Sequence, residues 1–232
     1  MNLSPNFRWY MIDGTRMPSV TSLLHDFIPE GEGIKRWKDN TPDWKEKMSK
    51  AANVGTITHH NIANYLNDKF DLGKTLKPLE FKEPIYPQVE IEACAAMSYF
   101  DDFIRHYKVE PLDVELEIYH KQLKYAGTLD FVGMFGGVPS VIDWKTSSSI
   151  WPTYQAQVVA YKKAVLSQEE ICKRLKIDKI ERCVIVVVNQ RNGLKVGEVI
   201  DENIAWDIFW GAYDRFQELF RPEKRIEKHE VI

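Results

Sequence analysis

Asp130, Asp143 and Lys145 are the residues whose types and spacing could do chemistry. Asp130 lies in Thr128-Leu129-Asp130-Phe131-Val132, and Asp143 and Lys145 flank Trp144 in Val141-Ile142-Asp143-Trp144-Lys145-Thr146. Both runs favour strands, and Gly136-Gly137 between them is a hairpin turn signal. Side chains two apart on a strand share a face, so Asp143 and Lys145 point together and Trp144 points away. If Asp130 projects to that face from the adjoining strand, two carboxylates and an ammonium converge. Carboxylates so crowded raise each other's proton affinity unless a cation cancels them. Hard oxygen ligands suit magnesium or manganese. The lysine could then orient or deprotonate water, or neutralise charge on a pentacoordinate phosphate.

Other elements must position these groups. Residues 114–119 alternate Val114, Leu116 and Ile118 against Glu115, Glu117 and Tyr119, the pattern of a half-buried strand. Glu115 and Glu117 share a face, so spacing does not choose between them, and both could be surface residues of an edge strand. After the hairpin, Gln157 and Tyr161 lie one helical turn apart and share a face. They could serve the site, or Tyr161 could be core and Gln157 a cap to a strand edge. Upstream, residues 7–12 read as a strand with a turn at Asp13-Gly14, and Pro18-Ser19 opens a helix with Val20, Leu23, Leu24 and Phe27 along one side. Helices are expected over 33–39, 42–52 and 54–68, the last carrying His59 and His60. Residues 71–87 read as a loop. A helix over 89–107 would place Ile91, Ala95, Met97 or Ser98, and Phe103 near one stripe. Downstream come a buried strand at 183–188, a turn at 189–193, a partner strand at 195–200, an aromatic-rich helix at 201–220, and a charged tail from Arg221 expected to fray.

The helices at 33–39 and 42–52 interleave Lys35, Arg36, Lys38, Lys45, Lys47 and Lys50 with Trp37 and Trp44. They read either as a solvated amphipathic pair with inward tryptophans or as a basic, aromatic wall for single-stranded nucleic acid. Thr146 and residues 147–149 could hydrogen-bond phosphate oxygens or simply form a polar loop.

With 232 residues the chain can bury one good core, as one domain or a domain with a helical appendage. A hydrophobic content of 44% and a charged content of 28% are ordinary for a soluble globular protein. Net charge is −3, which argues against a histone-like non-specific binder but leaves room for a local basic groove. The three cysteines, Cys94, Cys172 and Cys183, make no metal-ligand pattern or disulfide framework, and a reducing compartment is expected. No signal peptide, arginine-rich transit segment or long apolar run is present, so a cytoplasmic bacterial or phage protein away from membranes is the expectation.

Gly127-x-x-Asp130, then Ile142-Asp143-Trp144-Lys145-Thr146, then Gln157-x-x-x-Tyr161 together resemble the PD-(D/E)XK nuclease superfamily in its RecB-type branch. Glu115 leading through Tyr125-x-Gly127, Pro18-Ser-Val-Thr21, Arg36-Trp37-Lys38 and Gly55-x-x-x-His59 resemble the mitochondrial genome maintenance exonucleases and their phage relatives. The resemblance implies a single α/β domain over 1–232 with a restriction-endonuclease-like core: a central mixed sheet flanked by helices over 111–232, and a helical cover or channel over about 15–110. It implies a metal-dependent DNA exonuclease preferring single-stranded ends. Asp130, Asp143, His59 and the Trp144 backbone carbonyl would hold magnesium or manganese, with Glu115 supporting the site. Lys145 would position or activate water, and Gln157 and Tyr161 would order Lys145 or the phosphate. Trp37, Lys38, Trp44, Thr146, Ser147 and Trp151 would contact nucleic acid. The alternatives in other classes are a non-catalytic nucleic-acid-binding subunit and a structure-selective or site-specific endonuclease of the same fold. An iron–sulfur nuclease needs four cysteines and is set aside.

Overall fold

A computed structural model describes residues 3–81, 85–189, 191 and 193–220. The chain opens with an antiparallel hairpin of β1 (Trp9–Ile12) and β2 (Thr15–Pro18), turned at Asp13-Gly14, where both residues have positive φ. Ser19 caps α1 (Val20–Phe27), and α2 (Glu32–Asp39), α3 (Trp44–Lys69) and α4 (Pro87–His106) follow. A five-stranded sheet then forms in spatial order β3 (Val109–Tyr119), β4 (Ala126–Phe135), β5 (Val138–Lys145), β6 (Arg182–Asn189), β7 (Gly193–Glu198). β5 and β6 are parallel, connected through α5 (Pro152–Leu166) and α6 (Glu169–Leu175). The other neighbours are antiparallel, and α7 (Glu202–Phe220) closes the fold. This is the expected mixed α/β architecture, consistent with a restriction-endonuclease-like core.

The sheet separates two apolar layers. Leu23, Val158, Ala164 and Phe209 from α1, α5 and α7 pack on one face, against Val141, Cys183, Ile185 and Val187. Ile62, Leu66, Phe100 and Phe103 from α3 and α4 pack on the other, against Ile142, Trp144, Val184, Val186 and Val188. The interior strand β6 is therefore buried on both sides, which is why it reads as an unbroken apolar run. Trp144 is 1% exposed and meets Phe100 and Phe103 edge-on at 5.4 and 5.6 Å. Such pairs add about 0.5–1.5 kcal/mol each to the burial of the rings. That anchor holds the alternate residues Asp143 and Lys145 toward α5.

Several expectations are corrected. The helices expected at 42–52 and 54–68 are one helix, α3, which runs straight through Gly55. An isolated glycine weakens a helix by about 1 kcal/mol but does not end it. Here it admits the end of β5, since a Cβ on Gly55 would stand 3.3 Å from Thr146 Oγ1. The buried stripe of α4 is Val89, Ala93, Ala96, Phe100 and Phe103, and Ile91 is exposed. β2 and α6 were not anticipated: four residues of β2 are too few to show a period, and α6 is short and charged. The tail from Arg221, residues 82–84 of the expected loop, and positions 190 and 192 of the expected turn lie outside the described residues. No described helix is long and apolar enough to cross a membrane.

Candidate functional site

The β4–β5 ladder ends at the pair Phe131–Ile142. Beyond it the strands part, and a side chain replaces the missing backbone partner: Trp144 N–H donates to Asp130 Oδ2 at 2.8 Å. On the other side of β4, the pairs Val114–Phe131 and Leu116–Leu129 bracket Glu115 and Asp130. Val114 and Phe131 belong to the α3–α4 layer, whereas Leu116 and Leu129 belong to the α5–α7 layer. Both strands thus change faces at Glu115 and Asp130. Glu115 makes the change with φ +46, a left-handed conformation that costs a non-glycine residue roughly 1–2 kcal/mol. A bulge at Leu112, between the pairs Pro111–Gly133 and Asp113–Val132, precedes it.

Burial alternates along 114–119 as expected, but the face change puts Val114 in a different layer from Leu116 and Ile118 and separates the two glutamates. Glu117 is exposed beside Lys77, at 3.4 Å. Glu115 is half-buried, and its carboxylate, one Asp130 oxygen and a His59 ring nitrogen all lie within 4.8 Å of one another. α3 delivers His59 to this point, with His59 Nδ1 at 3.3 Å from Asp130 Oδ2. Two carboxylates and an imidazole so arranged fit a hard divalent cation.

Asp143 and Lys145 form the adjoining half of the site. Lys145 Nζ stands 2.5 Å from Asp143 Oδ2, 3.3 Å from Gln157 Oε1 and 4.9 Å from the Tyr154 ring centroid. Gln157 Nε2 donates to Asp143 Oδ1 at 2.7 Å and to the Tyr161 hydroxyl at 3.3 Å. Gln157 is thus tied to both members of this pair, while Tyr161, buried in the core, is tied to Gln157. Asp143 is fully buried, and its Oδ2 takes no well-directed hydrogen bond despite the nearby ammonium. Gly127 makes room for this arrangement, because a Cβ there would stand 2.4 Å from Tyr161 Cε1.

The charges respond to the crowding. Burial, then repulsion from Asp130, pushes the Glu115 carboxyl up to about 7. Burial, reinforced by Asp130 and opposed by Lys145, pushes Asp143 up to about 6. Burial acts against the charged forms of Asp130, His59 and Lys145 as well, but their opposite charges win. The charge and hydrogen bond of His59 hold Asp130 below the usual carboxylate range; Asp130 holds His59 above its usual value; and Asp143 with Asp130 hold Lys145 above that of a free lysine. The lysine is thus an ammonium at neutral pH. Two carboxylates of the site thus have raised proton affinity, which a cation held among them would lower again.

These groups line a cleft of about 1510 Å³. Its walls are the β1–β2 hairpin with Arg8 and Tyr10, the middle of α3, and residues 74–79. The Tyr10 hydroxyl hydrogen-bonds Thr128 Oγ1 at 3.0 Å, fastening the hairpin to β4. Arg8, Tyr10, Thr128, Tyr154 and Lys74 were missed in the sequence, where no local motif marks them. The residues expected to contact nucleic acid are placed differently. Lys38 is ion-paired with Glu30 and stands over the Trp44 ring, and Trp37 is 41% exposed, all outside the cleft lining. Thr146 abuts Gly55, Ser147 bonds its own loop at Ser149 O, and Trp151 caps α5 at 47% exposure.

No family model matches the sequence. Mitochondrial genome maintenance exonuclease 1 of the mouse (Mus musculus) is 30% identical over 230 residues, covering 93% of this chain and 61% of the mouse protein. The chain therefore spans less than two thirds of the length of the curated relative it matches. Along nearly all of its own length, this chain is similar to a protein named as an exonuclease.

Proposed function

We propose that the chain is a divalent-metal-dependent deoxyribonuclease of the RecB-type PD-(D/E)XK branch, an exonuclease acting on single-stranded DNA ends in DNA maintenance. The observation that carries this reading is the meeting of the His59–Glu115–Asp130 cluster with the Asp143–Lys145–Gln157 network in one cleft. Similarity to an exonuclease supports it independently. In this reading residues 1–232 are one nuclease domain, with a catalytic core over 111–232 and a helical cover over about 15–110.

Asp130, Glu115 and His59, with Asp143 and the Trp144 carbonyl beside them, would hold magnesium or manganese. The cation would supply Lewis acidity at the scissile phosphate. Lys145, charged and buried, orients the attacking water and offsets negative charge developing on the phosphate. Gln157 fixes Lys145 and Asp143 relative to each other, and Tyr161 fixes Gln157. Arg8 stands at the cleft wall as a cation for the nucleic-acid backbone.

The test is digestion of labelled linear and circular, single- and double-stranded DNA, in magnesium and in chelator. Loss of linear single strands in magnesium only, with the circle resistant, is the expected result. Absence of metal-dependent cleavage on every substrate overturns the assignment, and efficient cutting of the circle would make the enzyme an endonuclease.

A further inference from the structure

The connector after α3 makes an unusual contact with the cluster. Lys74 donates to Asp113 Oδ1 at 2.6 Å, to the Val114 carbonyl, and to the Glu115 carbonyl at 3.1 Å. An ammonium has three donors, so all of them are used and none is left for a phosphate. In a regular strand successive carbonyls point to opposite sides and could not share one donor group. They do so here because Glu115 is left-handed. Such a conformation persists only where the surroundings over-determine it.

The other end of this contact is tied to the helix that carries His59. Asn67 Oδ1 accepts from Lys74 N–H at 2.9 Å, and Asn67 Nδ2 donates to Lys74 C=O at 3.0 Å. Asn67 lies on α3 two turns beyond His59. The backbone of Lys74 is thus pinned to α3 while its side chain pins β3. Asp113, buried and bonded to its neighbour's N–H at 2.8 Å, is the anchor on the strand. Arg174 also binds Asp113, at 2.7 Å, but no contact joins it to Glu115.

We propose that Lys74 is a positioning residue of the cation site: the Asn67–Lys74–Asp113 clasp holds the left-handed turn at Glu115 and sets the distance between Glu115 and His59. This rests on the reading of that cluster as a site for a hard divalent cation. Lys74 touches no ligand atom itself. It acts on the backbone of one ligand and, through Asn67, on the helix of another.

The experiment is titration of Mn²⁺ alone into the metal-free chain, with free Mn²⁺ read from its paramagnetic resonance amplitude. Outer partners of metal ligands typically set affinity by about 10–100-fold. Lys74→Met is therefore expected to weaken Mn²⁺ binding about tenfold or more, while Arg174→Met, which removes only the second cation on Asp113, leaves it unchanged. If Lys74→Met does not fold, Asn67→Ala keeps the lysine, frees its backbone, and carries the same expectation of weaker Mn²⁺ binding. Wild-type affinity in the folded Lys74→Met or Asn67→Ala chain overturns the proposal alone. Equal losses in Lys74→Met and Arg174→Met also overturn it, since support of Asp113 would then suffice as an explanation. A wild-type chain that binds no Mn²⁺ overturns the metal reading and this inference together.

Discussion

Replacing Glu115 by glutamine should stabilise the metal-free protein at pH 8 and not at pH 5. The Glu115 carboxyl titrates at about 7 in the fold, against 4.5 in the unfolded chain, because it is buried and faces Asp130. A carboxyl with a raised folded-state pKa binds its proton more tightly in the native state. Its contribution to stability is therefore present in full below pH 4.5 and is lost as pH rises through about 7. A rise of that size has a ceiling of roughly 3 kcal/mol. Partial solvation and sharing of charge with His59 and Asp130 reduce the expectation to about 1–2 kcal/mol. Glutamine preserves the shape and carries no charge at any pH, so it escapes this loss. The assay is urea unfolding of wild type and Glu115→Gln in chelator at pH 5, 6.5 and 8. The stability difference should move in favour of the mutant by about 1–2 kcal/mol across that range. A difference that is flat with pH, or that moves the other way, would refute the argument that burial and Asp130 strain this carboxylate. Saturating Mn²⁺ should abolish the mutant's advantage, because a cation relieves the wild-type site.

Gly127→Ala forces a methyl group against the buried Tyr161 ring; it should lower stability by about 1–3 kcal/mol in the same unfolding assay and reduce turnover by displacing Gln157, whereas an undiminished Tm would show that the ring can move. Lys145→Arg keeps the charge, but its planar fork cannot occupy the space between Asp143, Gln157 and Tyr154; turnover on linear single-stranded DNA should fall at least about 10²-fold, with a smaller change in DNA affinity measured in calcium, and equal losses would mean that Lys145 mainly grips DNA. Trp37→Ala should leave the affinity for a short single strand unchanged, because Trp37 lies outside the cleft; a loss equivalent to about 1–3 kcal/mol in a fluorescence anisotropy titration would place a stacked base on it.

Much of the framework is legible in the residues. The glycine pair at 136–137 marks the β4–β5 turn, the two-residue period sends Asp143 and Lys145 one way and Trp144 the other, and the one-turn spacing brings Gln157 and Tyr161 together. What escapes is whatever depends on a break in a period. Glu115 differs from Glu117 only because the strand changes faces at a left-handed residue, and glutamate carries no local signal for that conformation. The fit of Gly55 within α3 is explained by the close approach of Thr146, which is distant in sequence. Lys74 sits in a stretch with no period at all, and its importance comes entirely from carbonyls some forty residues away. Trp37 and Trp44 are the reverse case: composition alone singles them out, and neither is among the residues that line the cleft.

The length of α3 has a mechanical consequence. Its buried residues begin at Val54; from Trp44 to Asn53 none is buried, and the surface pairs Asp43–Lys47 and Glu46–Lys50 run along that free stretch. At 1.5 Å per residue this unburied stretch is about 15 Å long. The turns that carry His59 are gripped by the buried Thr58, Ile62, Ala63 and Leu66, so a load on the outer turns frays or bends them before it moves the imidazole.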